Sequence, residues 1–405
     1  MDTLNLKLTA PTSAEKWISF CPRQTTIGLL LMMLTFLGLS GKATGQASNA
    51  DFDRLKIGDG NWHFTGVDYC GENNMLVACT KEAAPLKITD WKTGKITAEY
   101  PAGNWPTGSK VSFSAKGKYI LLQQQGYNIP SINKPRSISF EIIDAGTGRQ
   151  IRIFEKVQDV VISADEKMAL SLCDGEVVSW NLPDASRNSS FKVGGAGNAI
   201  ELSPDGKTIV VSHSITKEDL KGDKTYDKQK KAVSFAVKYK QRISFYDARS
   251  LERISTIGEL YDIIYNFRFS PDGKWLFVLQ SPDLNAQTTK KGITYINTVN
   301  TESREPVRLG FTSQSITRPE LKFSNSGKMF AINSKGSRFQ EILLYDLEEG
   351  SLLKRFELGY RLFEKSDGEK FINDTRPSYV FLPGDDAILV AMGNRLIKWN
   401  LELNQ

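Results

Sequence analysis

Seven times along its 405 residues the chain writes a short apolar stretch, a turn rich in Gly, Asp and Lys, and a second apolar stretch. The turns are Gly71-Glu-Asn-Asn74, Ala115-Lys-Gly-Lys118, Ala164-Asp-Glu-Lys167, Pro204-Asp-Gly-Lys207, Pro271-Asp-Gly-Lys274, Asn325-Ser-Gly-Lys328 and Pro383-Gly-Asp-Asp386. Leu202-Ser-Pro-Asp-Gly-Lys207 and Phe269-Ser-Pro-Asp-Gly-Lys274 are the clearest copies. Pro presets φ at the entry to a turn and Gly supplies a positive φ, so each segment reads as a tight hairpin. A hairpin repeated this often must bury its apolar faces against its own copies, which restricts the fold to a repeat architecture.

Each hairpin is followed by a third alternating strand that ends on Asp or Asn. The end pairs are Thr89-Asp90, Ile143-Asp144, Trp180-Asn181, Tyr246-Asp247, Ile296-Asn297, Tyr345-Asp346 and Trp399-Asn400, at intervals of 54, 37, 66, 50, 49 and 54 residues. Asp and Asn side chains bond the backbone two residues on and so begin the next turn. Corners such as Lys92-Thr-Gly-Lys-Ile96 and Gly146-Thr-Gly-Arg149 then lead into a fourth strand. No long amphipathic helix interrupts the series. The composition agrees, with 40% hydrophobic and 24% charged residues excluding wholesale disorder and 32 Gly and 15 Pro spread over many turns.

Seven four-stranded units of this kind resemble a β-propeller, and the pattern is similar to the WD40-like repeat superfamily over about residues 50–405. The resemblance implies an all-β, seven-bladed β-propeller of four-stranded blades. The Gly-His pair and Trp-Asp dipeptide of true WD40 repeats are absent, Trp180-Asn181 and Trp399-Asn400 being the nearest approaches. After Asn400 too few residues remain for a fourth strand. The segment Phe52-Asp-Arg-Leu-Lys-Ile57 is therefore expected to complete the seventh blade and close the ring.

Before the repeats, Ile27–Leu39 is an apolar run of 13 residues, short of the ~20 that span a bilayer. Lys16 and Arg23 precede it, and Ala43 and Gly45 stand at −3 and −1 of a cut before Gln46. These are the parts of a secretory signal peptide over residues 1–45, with 46–405 as the exported propeller, periplasmic or extracellular. An uncleaved anchor is the alternative; in the mature chain no transmembrane span is expected. The leader carries a net +2 of the chain's +6, and Lys217–Arg242 alone holds nine basic and four acidic residues. The basic balance is thus one local feature. Cys70, Cys79 and Cys173 read as small buried hydrophobes, because in the hairpin around Gly71 Cys79 faces about residue 67 rather than Cys70.

In a blade of this kind the connections after the second and fourth strands open on one face, and the long ones here all fall in that class. This face is the candidate binding surface. On it the sequence offers Trp105, Tyr127, Arg318, Arg361 and Arg376, with the three arginines expected near the mouth of the central channel. The insertion in the fourth blade offers Lys217, Lys221, Lys224, Lys228, Lys230 and Lys231. Thr208–Ser214 and Val233–Tyr246 read as long strands extending a hairpin arm, whose charge suits an anionic partner. A solvated loop, and aromatics packed on their own loops, are the plainer readings.

Catalytic signatures are missing: there is no Gly-x-Ser-x-Gly, His-Glu-x-x-His or Cys-x-x-Cys. Gly206-Lys207-Thr208 has Glu201 where a phosphate loop needs its first Gly, and His63 and His213 are far apart. The expectation is a protein-binding or scaffold module, with no cofactor, no metal and no nucleic acid, and a protein partner with an acidic surface. The alternative is a lactonase- or quinoprotein-like propeller with a small-ligand or metal site at the channel mouth.

Overall fold

The structure is a computed structural model that describes residues 52–55 and 64–401, apart from 73–74, 81–84, 91, 104, 126–134, 225, 227–228, 284, 287–293, 314–318, 336–339, 359–376 and 393–394. Two compact units divide the chain, Met1–Thr44 and Gly45–Gln405. The first lies outside the described residues, and with it the expected signal segment.

The second unit is seven four-stranded antiparallel sheets, each built from consecutive strands except one. The innermost strands of blades one to seven are Phe64–Cys70, Ser109–Phe113, Asp159–Ile162, Ile200–Leu202, Ile263–Phe269, Leu321–Phe323 and Ser378–Phe381. In the seventh sheet the outer strand comes from the other end of the chain: Phe52–Leu55 pairs antiparallel with Arg395–Asn400, Phe52 opposite Trp399. The ring closes as the leftover N-terminal strand implied, and the last blade has no bare edge where the circle begins.

Strand alternation puts apolar side chains on both faces of every blade, so each face needs a neighbour. Among the described residues, the buried apolar side chains of the blades accordingly form seven clusters, one between each pair of adjacent blades, with an eighth in the blade-four arm. Met329 and Ile342 of blade six, for instance, meet Tyr379 and Phe381 of blade seven. Phe64 and Val67 of blade one meet Leu389 and Ala391 of blade seven across the closure. Burying one such Phe or Leu contributes about 1.5–3 kcal/mol, and no blade collects this without its neighbours.

Short-range chemistry fixes the turns. In blades three, four and five a Ser hydroxyl accepts the amide of the residue five on and donates to an Asp two on, as in Ser203 with Thr208 (2.9 Å) and Asp205 (2.6 Å). The strand-end Asp90, Asp144, Asp247 and Asp346 each accept amides two and three residues on. Blade five corrects the sequence reading. Its third strand runs Thr294–Asn300, and Asn300 rather than Asn297 caps the corner, because Asn297 sits within the ladder opposite Val278.

The fourth blade brings a second correction. Val233–Tyr239 is not part of an extended hairpin: Lys230–Tyr239 forms a helix, α1, preceded by a 3-10 turn at Glu218–Leu220, and the third strand starts only at Gln241. The run Val233-Ser-Phe-Ala-Val-Lys-Tyr239 matches a period of two, but Val233, Ala236 and Val237 also match a helical face. The helical period wins because that face packs on Ile215, Leu220 and Leu260. Cys70, Cys79 and Cys173 are free thiols, and Cys79 stands opposite Gly66 beside a bulge. Among the described residues no helix is long and apolar enough to cross a membrane.

Candidate functional site

Two places concentrate functional chemistry: the central channel and the blade-four arm. The channel is lined by the inner strands, whose alternate residues point inward. Counting back from the residue just before each hairpin turn (Cys70, Ser114, Ser163, Ser203, Ser270 or Ser324), two positions matter. Two residues before it stand Asp68, Glu201, Arg268 and Lys322, and four before it stand Lys110, Asp159 and Glu320. Arg136, from the connection between the second and third strands of blade two, joins them around a cavity of about 360 Å³.

Most of these charges are matched across the channel. Lys110 of blade two reaches Glu320 of blade six at 2.8 Å, Lys322 of blade six reaches Asp68 of blade one at 3.2 Å, and Arg268 reaches Glu201 of the adjoining blade at 2.7 Å. Asp68 also accepts the amide of Phe113 at 2.7 Å, tying blades one and two. Burial raises the Glu320 carboxyl, but Lys110 and Lys322 outweigh it and hold the group below the ordinary carboxylate range. Glu201 goes the other way, burial raising it despite Arg268.

Among the described residues, Arg136 and Asp159 are the two channel charges with no ion pair. Asp159 accepts the amides of Val160 (3.0 Å) and Ile200 (3.2 Å). Burial lifts its pKa to about 6, with the charge of Arg136 opposing. Arg136 is 6% exposed, and its Nε and Nη2 are buried with no hydrogen-bond partner. Burial lowers its guanidinium, opposed by Asp159. Among the described residues no group of three or more His, Cys, Asp or Glu is placed to hold a metal ion.

In the arm, Ile215, Leu220 and Ala236 are buried and form a small core with Tyr226, Val233, Val237 and Leu260 beside it. Thr216, just before the 3-10 turn, and Asp219 within it share three mutual bonds of 2.7–3.3 Å. Lys217, Lys221, Lys224, Lys230 and Lys231 are exposed, Lys221 lying 3.6 Å from Glu218. On α1, Lys231, Ser234, Phe235 and Lys238 form one exposed face, with Phe235 against Tyr239 at 5.0 Å. At the arm's root His213 bonds Ser244 (2.8 Å), which bonds Thr256 (2.7 Å), a relay across three strands of one blade. Burial lowers the His213 pKa, so its ring is neutral at physiological pH.

Trp105 is half-buried against the cluster between blades one and two. Tyr127, Lys228, Arg318, Arg361 and Arg376 lie outside the described residues, as does His63. The eight channel charges were not singled out from the sequence. Seven of them carried a signal in two fixed offsets from the turn, as in Glu201-Leu-Ser203, Arg268-Phe-Ser270 and Lys322-Phe-Ser324, whereas Arg136 lies in a connection and carried none.

Fold and channel together define a seven-bladed β-propeller with a charge-lined axis. Two solved structures share the architecture. Hydrazine synthase of Kuenenia stuttgartiensis aligns with a TM-score of 0.55 at 14% identity, over 89% of this chain and 99% of that one. The β-propeller domain of Myceliophteria thermophila Cps50 (Swd1) aligns with a TM-score of 0.56 at 15% identity, over 86% of this chain and 99% of that one. At such identities the likeness is one of fold. No protein-family model matches the chain, and no curated protein matches it by sequence.

Proposed function

We propose that this is an exported, WD40-like propeller, periplasmic or extracellular, that serves as a protein-binding or scaffold module through its long-loop face. The observation that carries the reading is the folded arm. A loop held only by solvent has no core, whereas here Leu220 is 3% and Ala236 2% exposed beneath a surface of lysines around Phe235. An exposed aromatic sharing its helix face with Lys231 and Lys238 suits an acidic protein surface, the aromatic supplying contact and the cations steering. The WD40-like assignment is supported by the repeated turn chemistry, and export by the charged, apolar and small-residue order of residues 1–45.

The test is capture from an envelope extract of the source organism, comparing the wild type with Lys230→Glu/Lys231→Glu/Lys238→Glu. All three side chains are exposed, so the fold is expected to survive. An acidic protein held by the wild type, lost from the variant and released by raised salt supports the reading. Equal capture by both proteins, or none by either, refutes the arm's role.

A second reading, a lactonase- or quinoprotein-like propeller with a small-ligand or metal site at the channel mouth, draws on the charge-lined cavity on the axis.

A further inference from the structure

One face of α1 is covered and the other is bare. Val233, Ala236 and Val237 pack on Ile215 and Leu220, so that side is consumed by the arm's own core. On the bare side Lys231, Phe235 and Lys238 stand at i, i+4 and i+7, which sets them in one stripe along the helix. Phe235 is 42% exposed. Among the described residues it is the one large apolar side chain so exposed that does not lie on the outer strand of a blade.

The charges around that stripe say what fits it. Lys221 has Glu218 and Lys240 has Asp262, whereas Lys230, Lys231 and Lys238 pair with no acid among the described residues. The start of the helix is also unmatched. Helix N-termini carry partial positive charge and are stabilised by acids and side-chain caps. Yet α1 begins with two lysines, has no acid in its first turn and receives no side-chain cap from Gln229. Lys238, in the last turn, suits its end of the helix and lies 5.1 Å from the centre of the Tyr239 ring.

We infer that α1 receives an acidic amphipathic helix of the partner, with two carboxylates two turns apart that flank an apolar residue. The inference rests on the scaffold reading and gives that partner a shape. Spacing selects a helix. Lys231 and Lys238 stand about 10.5 Å apart along the axis, the distance at which one face of a second helix repeats at i+7. One face of an extended strand offers about 6.8 or 13.6 Å instead. An apolar residue at i+3 or i+4 of the partner then rests on Phe235. A lipid surface asks for a broad apolar helix face turned outward, and α1 turns its broad apolar face into the arm. The carboxylate at the Lys231 end contributes more, because it also answers the uncapped helix start.

The experiment is fluorescence anisotropy of the full chain with labelled alanine-based peptides of about 20 residues, long enough for a helix to form. The first carries Glu-x-x-Leu-Leu-x-x-Glu, and the second has the same composition with both glutamates moved to the face opposite the leucines. The first should bind at least fivefold more tightly than the second. Lys231→Gln and Phe235→Ala should each weaken it at least threefold, and Lys238→Gln should weaken it less than Lys231→Gln. In Lys231→Glu/Lys238→Glu the preference should reverse, a peptide with Lys in place of both Glu binding more tightly than the original. All three side chains are exposed, so the variants are expected to fold. The inference is overturned if the two peptides bind wild type equally, if the variants keep wild-type affinity, or if phosphatidylglycerol vesicles bind the chain while the first peptide does not. Should the envelope capture succeed and the peptides fail, the helical partner is refuted and the scaffold reading stands.

Discussion

The carboxylate of Glu166 lies 2.8 Å from the amide nitrogen of Lys116, a residue of the preceding blade. The same oxygen accepts the Ser114 hydroxyl and, at 3.2 Å, the amide of Lys118. In blades three, four and five these duties belong to an Asp inside the turn. Blade two has Lys116 at that position, and the neighbouring blade supplies the missing carboxylate. Blade six shows the same substitution: Ser326 stands in the Asp position, and Asp385 of blade seven accepts the amides of Asn325 and Ser326 at 2.7 Å each. The two lending residues both adopt a positive φ, 62° and 56°. Blades that lack their own turn carboxylate are thus clasped to the next one.

Glu166→Ala should therefore destabilise the ring by about 2–4 kcal/mol, since a charged acceptor leaves three donors behind. Glu166→Gly should cost about 1 kcal/mol less, because Gly relieves the left-handed backbone strain while losing the same bonds. Urea denaturation at neutral pH reads both, with an unchanged slope marking a pure stability effect.

Asp159 makes stability depend on pH with a definite sign. Its folded pKa of about 6 lies above the ordinary 3.8, so the folded state holds this proton more tightly than the unfolded one. Stability from this group is present below about pH 4 and is lost as pH rises through 6. Arg136, Glu201 and Arg268 face it and shape the value. The melting temperature of Asp159→Asn minus that of wild type should climb between pH 4 and 6.5 and then level off. A flat difference over that range would show that the carboxyl titrates normally.

The strut between Lys110 and Glu320 is only partly buried, with side chains 26% and 15% exposed. Its single replacements, Lys110→Met and Glu320→Gln, should each cost about 1–3 kcal/mol, between the values for exposed and buried pairs. A double-mutant cycle should return a coupling of at least about 1 kcal/mol. Coupling near zero would mean that the blades hold the channel's width without help.

The closing strand supplies the outer edge of blade seven. A chain starting at residue 58 should melt several degrees below one starting at 46 and self-associate, because Arg395–Asn400 would present a bare edge. Scanning calorimetry and light scattering measure the two effects.

Much of this architecture was legible in the residue order. The Ser-x-Asp-Gly-Lys turns and the strand-end Asp and Asn bond partners two to five residues away, so the local sequence carries the whole interaction. The sevenfold recurrence of a hairpin turn followed by a strand ending on Asp or Asn, with the spare segment at Phe52, gave blade number and closure. Where two local readings competed, sequence was insufficient. Asn297 and Asn300 both look like strand ends, and Val233–Tyr239 satisfies two periods, with packing on Ile215 and Leu260 choosing the helix.

The channel belongs to a different order of information. Lys110 and Glu320 are separated by 210 positions, and Asp68 and Lys322 by 254, yet each pair is in contact. Nothing local encodes such meetings; they follow from the rotation each blade adds, summed around the ring until strands far apart in sequence share one axis. Local bonding thus gives the unit and its count, because those forces act within a few residues. Which charges meet and neutralise one another around the axis depends on distances that exist only once the circle has closed.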